Sequence, residues 1–368
     1  MKQTGAAMER IKCLICGGPT DGRPATIAPF LVKYCNFDQK TTETRYCRSC
    51  DFVFFRRRLT DAEASRLYTN YRGEEYNRIR LGVEPSYSSF IDLFDNPLST
   101  YYTERIRDYI GLVDAYPELG EIKNILDFGG DGSIPARVFP NAEIEIDDLN
   151  AGSSANRSKY QMIFTSNVFE HLSDPVPVLK KLTDRLDPEG IIFIDVPSPS
   201  QPNLGEGLLW QQKHGGELYE MHEHITHFSK RSLGLLVHAA GMVPLFEHKL
   251  RYPVLTVLAG FEDSAVATKL LNEKYQRAAV FEAKMAREEA EAAHDHVLDS
   301  IRLSHRLSQQ ISQLSGDGTR WTSEQSASLE LQSASLELQS VYRSTSWRVT
   351  APLRVLKNLL CRFAKLGA

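Results

Sequence analysis

The chain has 368 residues, of which 42% are hydrophobic and 24% are charged, and its formal net charge is -4. This length suits two or three domains, and the composition is that of a globular protein with a sizeable core. The mildly acidic balance argues against a nucleic-acid-binding protein, because such proteins present a basic surface. No apolar run reaches the roughly 18 residues of a membrane span, and the first residues lack the apolar core of a signal peptide. We therefore expect a cytoplasmic protein.

Four of the six cysteines form two CxxC pairs near the N-terminus. Two such pairs in a chain without a secretion signal predict a tetrahedral zinc site rather than disulfide bonds. A redox CxxC is the alternative interpretation, but that motif normally stands alone before a helix. Four thiolates leave no open coordination position, so the ion would have a structural role. The predicted zinc ligands are Cys13, Cys16, Cys47 and Cys50, in a small zinc-ribbon-like domain of residues 1–58.

Two further features follow the second CxxC pair. Residues 56–58 are three consecutive arginines, which could bind phosphate. Because no aromatic residue or glycine is interleaved with them, we expect a solvated surface run instead. Further on, Tyr68, Tyr71 and Tyr76 either pack in a linker helix or reach a substrate pocket, and the sequence does not decide between these roles.

A glycine-rich turn follows the predicted buried strand of residues 123–128. A strand that leads through such a turn into a helix is the first unit of a doubly wound α/β sheet. A second predicted strand, residues 143–146, ends in two acidic residues that could accept hydrogen bonds from ribose hydroxyls. The predicted cofactor-binding residues of these segments are Asp127, Phe128, Gly129, Gly130, Gly132, Asp147 and Asp148. Of the two acidic residues, we favour Asp147 for the ribose, because it ends the alternating strand.

Three stretches narrow the choice of cofactor. Residues 127–132 (DFGGDG), 160–171 (YQMIFTSNVFEH) and 190–197 (GIIFIDVP) resemble the class I S-adenosylmethionine-dependent methyltransferases. The resemblance covers roughly residues 123–258 and includes a turn at residues 187–190 before the fifth strand. It implies an α/β, Rossmann-like doubly wound sheet that binds S-adenosylmethionine. A Rossmann-like domain that binds another nucleotide is the alternative.

The same resemblance assigns roles to residues after the fourth strand. Asn167 and Val168 would contact the cofactor, and Glu170 with His171 would help to bind and position the acceptor. The chain departs from the family at its glycine loop, where Asp131 or Ser133 stands in place of a third glycine.

The most distinctive string is residues 222–227, His-Glu-His-Ile-Thr-His. It lies downstream of the fifth strand, and ligands bind at the carboxyl ends of the strands in open α/β sheets. A His-x-His pair is typical of metal ligands, but no third ligand stands at a supporting spacing. A histidine that titrates near neutral pH can instead take the proton from an acceptor hydroxyl or carbon acid.

The paired-CxxC domain, the methyltransferase core and this string together resemble the zinc-containing sugar methyltransferases. The resemblance implies that His224 is the general base and Glu223 its orienting residue. Because spacing alone does not show which ring faces the pocket, His222 and His227 are further candidates for the base, and the Glu170-His171 pair is another. Met221 stands where that family has a tyrosine, and the C-terminal domain of its carbon methyltransferases has no counterpart. Both departures favour methylation of a sugar hydroxyl over C-methylation of a keto-sugar nucleotide. A non-catalytic scaffold for polysaccharide enzymes is the alternative from another class.

The C-terminal third has a different composition. Residues 261–315 contain neither Gly nor Pro and predict a long helix, and a seven-residue repeat in residues 326–339 indicates a coiled coil that would join copies of the chain. Residues 346–368 carry five basic residues and no acidic one, with leucines at three- and four-residue steps. Such a basic amphipathic helix binds a membrane surface or a partner helix.

Residues 344–354 resemble a tail found in enzymes of bacterial surface-polysaccharide assembly. This resemblance implies an acceptor that is a glycan, such as an O-antigen, or its nucleotide-sugar precursor, reached at the inner face of the cell membrane. The predicted domains are the zinc-binding domain of residues 1–58, the methyltransferase domain of 59–260, the helical coiled-coil extension of 261–345 and the tail helix of 346–368.

Overall fold

A computed structural model describes residues 8–96, 98–148, 152–198, 219–249 and 254–314. The chain divides into two compact units, Met1–Ala278 and Ala279–Ala368. The repeat of residues 326–339 and the basic segment of residues 346–368 lie outside the described residues, so the predictions for both segments stay predictions.

The N-terminal part of the first unit contains a five-stranded sheet. Its strands in chain order are β2 (Asp21–Ile27), β3 (Thr41–Cys47), β4 (Phe52–Phe55), β11 (Tyr219–Met221) and β12 (Thr226–His227). Their order across the sheet is β11-β2-β3-β4-β12. Helix α1 (Pro29–Tyr34) connects β2 to β3, and the short strands β1 (Met8–Glu9) and β5 (Arg57–Arg58) pair with each other.

This sheet extends beyond the predicted zinc-binding domain of residues 1–58. Strands β11 and β12 flank the histidine string, and they add to the two edges of the sheet, β11 parallel to β2 and β12 antiparallel to β4. The apolar core is also shared, because the buried Cys47, Phe52 and Phe54 pack in one cluster with residues of the larger sheet. The N-terminal region and the histidine string therefore fold as one structure.

The arginine run differs from the expectation of a solvated surface. Arg57 and Arg58 are 2% and 0% exposed. The guanidinium of Arg57 lies 3.6 Å from the ring centroid of Phe37 and pairs with Glu63 at 2.6 Å. Burial is tolerated because each guanidinium has polar partners, and those of Arg58 are distant backbone carbonyls that the sequence does not reveal.

A helical segment joins the two sheets. It comprises α2 (Asp61–Tyr68), α3 (Glu74–Leu81), a 3₁₀ turn (Pro85–Tyr87), α4 (Ser88–Asp95), α5 (Thr100–Ala115) and α6 (Pro117–Gly120). Helix α2 begins at Thr60, whose side chain and that of Glu63 each accept a hydrogen bond from the other residue's backbone N–H. This reciprocal capping box fixes the start of the helix.

The second sheet has seven strands in the order β13-β14-β10-β9-β6-β7-β8. The strands are β6 (Asn124–Phe128), β7 (Glu143–Asp148), β8 (Gly152–Ser153), β9 (Tyr160–Ser166), β10 (Leu186–Pro197), β13 (Met242–Lys249) and β14 (Val254–Phe261). The central strands β10, β9, β6 and β7 are parallel, and β14 is antiparallel to β10. The associated helices are α7 (Ser133–Val138), α8 (Pro175–Thr183) and α9 (Lys230–Ala239).

This topology agrees with the Rossmann-like α/β sheet that the sequence predicts, and it confirms the strands predicted at residues 123–128 and 143–146 to within two residues. The turn expected at residues 187–190 is instead a bulge within β10, where the register with β9 shifts between Leu186 and Ile191. The carboxyl ends of the parallel strands lie at one edge, where the candidate site is found.

The predicted long helix begins after β14. It is two helices, α10 (Ala265–Asn272) and α11 (Lys274–Leu314), which are separated at Glu273. Among the described residues, no helix combines the length and the apolar character that a membrane span requires.

Candidate active site

The four cysteines of the two CxxC pairs come together at one end of the five-stranded sheet. The Sγ atoms of Cys13 and Cys50 are 3.5 Å apart, those of Cys16 and Cys47 are also 3.5 Å apart, and all four lie within 4.8 Å of one another. Gly17 directly follows the first pair with φ of 69°, and its backbone N–H donates to the carbonyl oxygen of Cys13 at 3.0 Å, which closes the turn that carries the two thiols. The donor set and its spacing fit a tetrahedral zinc ion with four thiolate ligands.

Two glycines of the loop between β6 and α7, Gly129 and Gly130, have no room for a side chain. Gly129 has φ of 77°, and a Cβ atom added there would lie 2.6 Å from a methyl carbon of Val168. The backbone N–H of Gly132 donates a 2.8 Å hydrogen bond to the buried carboxyl of Asp127, and burial raises the pKa of that carboxyl to about 7. This bare-backbone loop at the end of the first strand fits close approach by a nucleoside cofactor.

The two acidic residues at the end of β7 point to opposite faces of the sheet. Asp147 accepts a 3.0 Å hydrogen bond from Arg185, whereas the loop glycine Gly132 faces Ile146 on the other side of the strand. Because side chains alternate along a strand, Asp148 shares the face of Ile146, and its charge contributes to the raised pKa of Asp127. The structure therefore favours Asp148 over Asp147 as the ribose partner, which corrects our preference from the sequence.

Asn167 follows β9 in the left-handed conformation, with φ of 55°. Its Nδ2 atom donates a 2.9 Å hydrogen bond to the hydroxyl of Tyr101. Its buried Oδ1 atom has no hydrogen-bond partner within the described part of the chain. A buried acceptor without a partner is costly unless a ligand supplies the donor, so Asn167 and the glycine loop both fit a bound S-adenosylmethionine.

A buried ionic network that the sequence did not reveal lies beneath Asn167. Asp195, at the end of β10, is 0% exposed and pairs with Arg105 of α5 at 3.2 Å. The same carboxylate accepts hydrogen bonds from the hydroxyls of Tyr109 and Ser166 and, at 2.9 Å, from the backbone N–H of Asn167. Asp195 thus fixes the turn that carries Asn167.

Three ionisable side chains converge beside this turn. Glu170 and His171 form a 3₁₀ turn after β9, and His224 comes from the segment between β11 and β12. The Oε1 atom of Glu170 lies 3.8 Å from Nε2 of His171 and 3.9 Å from Nε2 of His224. The two segments are joined directly, because the backbone N–H of Ile225 donates to the carbonyl oxygen of Glu170 at 3.0 Å.

Glu223, the predicted orienting residue, lines the same pocket as His224, but its carboxylate is held by α3 and not by His224. Its carboxylate is 3% exposed, accepts a hydrogen bond from the hydroxyl of Tyr76 and pairs with Arg80 at 2.9 Å. The carboxylate beside His224 is that of Glu170. This difference from the expectation arises because α3, which carries Tyr76 and Arg80, packs against the histidine string.

His222 and His227, the further candidates for the base, are held by contacts within the protein. His222 is 4% exposed; its Nδ1 atom accepts the backbone N–H of Glu223 at 2.9 Å, and its Nε2 atom lies 3.0 Å from Glu84. In the neutral ring Nε2 therefore carries the hydrogen and donates to Glu84. His227 lies in β12, paired with Val53 of β4.

The cofactor loop and the histidine cluster face one pocket. Its wall includes Gly129, Asn167, His171 and His224, together with Tyr71 and Arg72 from the segment after α2. Of the three tyrosines noted in the sequence, Tyr71 therefore lines the pocket. The hydroxyl oxygen of Tyr68 lies 3.0 Å from Nδ1 of His171, and the hydroxyl of Tyr76 donates a hydrogen bond to Glu223. A pocket that joins a glycine loop to two imidazoles and a carboxylate can bind a nucleoside cofactor beside a group that must lose a proton.

Residues 99–245 match a family model described as a methyltransferase domain. No curated protein matches the chain. This match falls on the Rossmann-like sheet with the cofactor loop described above and indicates a methyltransferase domain in this part of the chain.

Several solved structures of methyltransferases match part of this chain. The 1,6-didemethyltoxoflavin-N1-methyltransferase of Burkholderia thailandensis, solved with 1,6-didemethyltoxoflavin and S-adenosylhomocysteine, is 17% identical over 48% of this chain and 87% of its own, with a TM-score of 0.35. The mitomycin 7-O-methyltransferase MmcR is 12% identical over 50% of this chain and 63% of its own, with a TM-score of 0.33. Magnesium protoporphyrin IX methyltransferase from Synechocystis PCC 6803 is 14% identical over 43% of this chain and 82% of its own, with a TM-score of 0.34.

Proposed function

We propose that the protein transfers a methyl group to a sugar hydroxyl of a surface polysaccharide or of its precursor. The observation that carries the proposal is the pocket wall that contains both His171 and His224 together with Gly129 of the cofactor loop, with the carboxylate of Glu170 beside the two imidazoles. The cluster offers the means to remove a proton next to the place where a methyl donor fits. A hydroxyl requires such help, because it is a poor nucleophile until it loses its proton.

The residues that would hold S-adenosylmethionine are Gly129, Gly132, Asn167 and Asp148. When bound, the cofactor supplies a methyl group bonded to a positively charged sulfur, which is open to attack by a nucleophile. The glycines leave their backbone bare, Asn167 offers its buried Oδ1 atom, and Asp148 offers a carboxylate at the end of β7. Together these groups would recognise the hydroxyl and amino groups of the cofactor.

The acceptor side of the pocket combines aromatic rings with cationic side chains. Tyr71, Tyr87 and Phe90 line it, and Arg72 and Arg80 lie among them. Aromatic faces with a few polar groups suit a sugar ring, which presents both C–H faces and hydroxyls. Activation of the acceptor hydroxyl depends in this proposal on His224, with Glu170 as the carboxylate beside it.

Other parts of the chain have supporting roles in the proposal. A zinc ion held by the four cysteines would stabilise the sheet to which β11 and β12 belong. The basic residues 346–368 would bring the enzyme to an anionic membrane surface, since each basic residue near such a surface contributes about 1 kcal/mol. Residues 326–339 would join copies of the chain through a coiled coil.

The test is transfer of labelled methyl groups by the purified full chain. Nucleotide sugars and extracted lipid-linked glycans are supplied separately, and the labelled product is analysed for O-methyl or C-methyl sugar. We expect O-methyl sugar, and His224→Ala should lower turnover by at least about 100-fold with cofactor affinity nearly unchanged. Labelled C-methyl sugar would establish the carbon-methylation alternative, and cofactor binding without any transfer to glycans would contradict the proposal.

The supporting roles have separate measurements. Elemental analysis of protein purified without chelators should give one zinc per chain, and Cys13→Ser should abolish it. Deletion of residues 346–368 should release the protein from anionic vesicles and leave cofactor binding intact. Vesicle binding that neither salt nor the deletion weakens would rule out the electrostatic contact.

A further inference from the structure

We propose that Glu170, His171 and His224 bind a divalent metal ion, and that this ion holds two adjacent oxygens of the sugar acceptor. The inference rests on the proposed function and names the chemistry by which the acceptor is recognised and activated. The sequence alone offered the His-x-His pair without a third ligand. The fold brings Glu170 and His171 to His224 from more than fifty residues away along the chain.

The distances fit three ligands of one ion. The Oε1 atom of Glu170 is 3.8 Å and 3.9 Å from the two imidazole Nε2 atoms, and all three ligand atoms lie within 4.8 Å of one another. Tetrahedral ligands at about 2.0–2.2 Å from a common ion lie about 3.3–3.6 Å apart, so small rotations of these side chains would bring the three ligand atoms onto one ion. The carboxylate of Glu170 is 2% exposed, and coordination to a cation is one of the arrangements that make a buried carboxylate favourable.

The hydrogen-bond partners of His171 leave its Nε2 atom available to bind a metal ion. Its Nδ1 atom lies 3.0 Å from the carbonyl oxygen of Glu223 and 3.0 Å from the hydroxyl of Tyr68. A carbonyl only accepts hydrogen bonds, so Nδ1 carries the hydrogen and Nε2 presents its lone pair toward Glu170. This pattern, in which the second nitrogen donates to a backbone carbonyl, is characteristic of histidines that bind metals.

The backbone holds the ligands together without an ion. Ile225 donates its N–H to the carbonyl oxygen of Glu170, and the hydroxyl of Thr226 donates to the same oxygen at 3.1 Å. The ligands from the 3₁₀ turn and from the histidine string are therefore held in one position before the metal binds. Such pre-organisation lowers the cost of binding.

Three protein ligands leave open positions on the ion, and His171 and His224 face the pocket that Gly129 also lines. A sugar with two neighbouring oxygens can occupy two of these positions. The bound hydroxyl is acidified by the ion and loses its proton to water. Its oxygen then forms a bond to the methyl carbon as the carbon–sulfur bond of S-adenosylmethionine breaks, and the sulfur keeps the electron pair. The products are a methyl ether, S-adenosylhomocysteine and a proton, and His224 is a ligand rather than the proton acceptor.

The experiment measures binding of Mn²⁺ alone to the full-length protein that retains its zinc. Loss of the free Mn²⁺ electron paramagnetic resonance signal gives the affinity, and electron spin echo modulation from ¹⁴N reports imidazole ligands. We expect one site per chain with ¹⁴N modulation, and at least a tenfold weaker affinity in Glu170→Gln, His171→Ala and His224→Ala. His238→Ala, an exposed position at the end of α9, is the matched control and should bind Mn²⁺ like the parent.

The parent protein keeps the test decisive even if a variant misfolds, because ¹⁴N modulation is read without any substitution. Absence of Mn²⁺ binding, or binding without ¹⁴N modulation, would overturn the metal site. Methyl transfer to a glycan that persists after removal of divalent ions, with zinc content unchanged, would also overturn it and leave His224 as the base. If Mn²⁺ binds through these three residues but no sugar is methylated, the metal site stands and the proposed function fails. Acceptors that lack one of the two adjacent oxygens should lose the stimulation by Mn²⁺.

Discussion

Arg58 donates a 2.6 Å hydrogen bond to the carbonyl oxygen of Ile225, a residue 167 positions further along the chain. The same guanidinium donates to the carbonyl oxygens of Leu172 at 2.7 Å and Ser173 at 2.9 Å. Arg58 therefore joins the segment after His171 to the segment after His224, and it holds both from the N-terminal sheet. Burial lowers the pKa of Arg58 to about 9, which leaves the side chain protonated at neutral pH.

Replacement of this arginine should disturb the site from a distance. Arg58 also donates to the carbonyl oxygen of Phe55 at 3.3 Å. Arg58→Lys keeps the charge, but one ammonium cannot reach these four carbonyl groups, and each buried carbonyl left without a donor costs about 1–3 kcal/mol. We expect the free energy of unfolding to fall by about 3 kcal/mol and turnover to fall with it. Arg56→Lys is the matched control, because the partners of Arg56 are the exposed Glu9 and the half-buried Glu43, and pairs at the surface contribute about 0–1 kcal/mol. Equal losses in the two variants, measured by denaturant unfolding, would contradict this role.

Gly129 provides a test of the cofactor loop. Gly129→Ala places a methyl group 2.6 Å from Val168 in a backbone with φ of 77°. The loop must therefore move, and this movement disturbs the cofactor site. We expect affinity for S-adenosylmethionine to fall at least tenfold in calorimetry. Gly241→Ala is the control, since Gly241 has φ of 80° but no atom within 4 Å of the added carbon. Both variants carry a backbone strain of about 1–2 kcal/mol, and only the first should lose the cofactor.

Local patterns predicted the strands and the loop, whereas distant contacts determined the site. The strand before Gly129 is recognisable because its apolar run and the following glycines are adjacent in sequence. The partners of Arg58 and Glu170 lie in other segments, so their burial and their contacts could not be read from their neighbours. The position of Glu223 could not be predicted for the same reason, because its carboxylate is held by Arg80 and Tyr76, which lie 143 and 147 residues away in the sequence.

Asp195 should be essential for the stability of the fold. Asp195→Asn preserves the size of the side chain but leaves Arg105 as a buried charge without its counterion. Removal of one member of a buried pair destabilises a protein by about 3–5 kcal/mol. Because Asp195 also accepts the backbone N–H of Asn167, we expect weaker cofactor binding in whatever fraction remains folded. Thermal unfolding checks the first effect, and Asp184→Asn, at an exposed position after α8, should leave the unfolding temperature almost unchanged. A stable Asp195→Asn protein would show that the pair is dispensable.

Glu118 links acid stability to the contact between α6 and the start of α11. Its carboxylate binds Arg277 through two hydrogen bonds of 2.7 Å and 2.9 Å and also pairs with Lys269. The hydrogen bonds from Arg277 lower the pKa of Glu118 to about 2, from an ordinary value of 4.5. Because the folded state holds this carboxylate in its charged form, the contribution to stability is present above pH 4.5 and is lost as the pH falls toward 2.

Glu118→Gln should therefore lower the free energy of unfolding by about 1–2 kcal/mol at pH 7 and by much less at pH 2. Urea unfolding of the parent and the variant at both pH values measures the difference. Glu121→Gln, at an exposed position just after α6, should change stability by less than about 0.5 kcal/mol at either pH. A difference between Glu118→Gln and the parent that stays constant from pH 7 to pH 2 would show that the charge of Glu118 does not stabilise this contact, since a protonated carboxyl can no longer pair with Arg277.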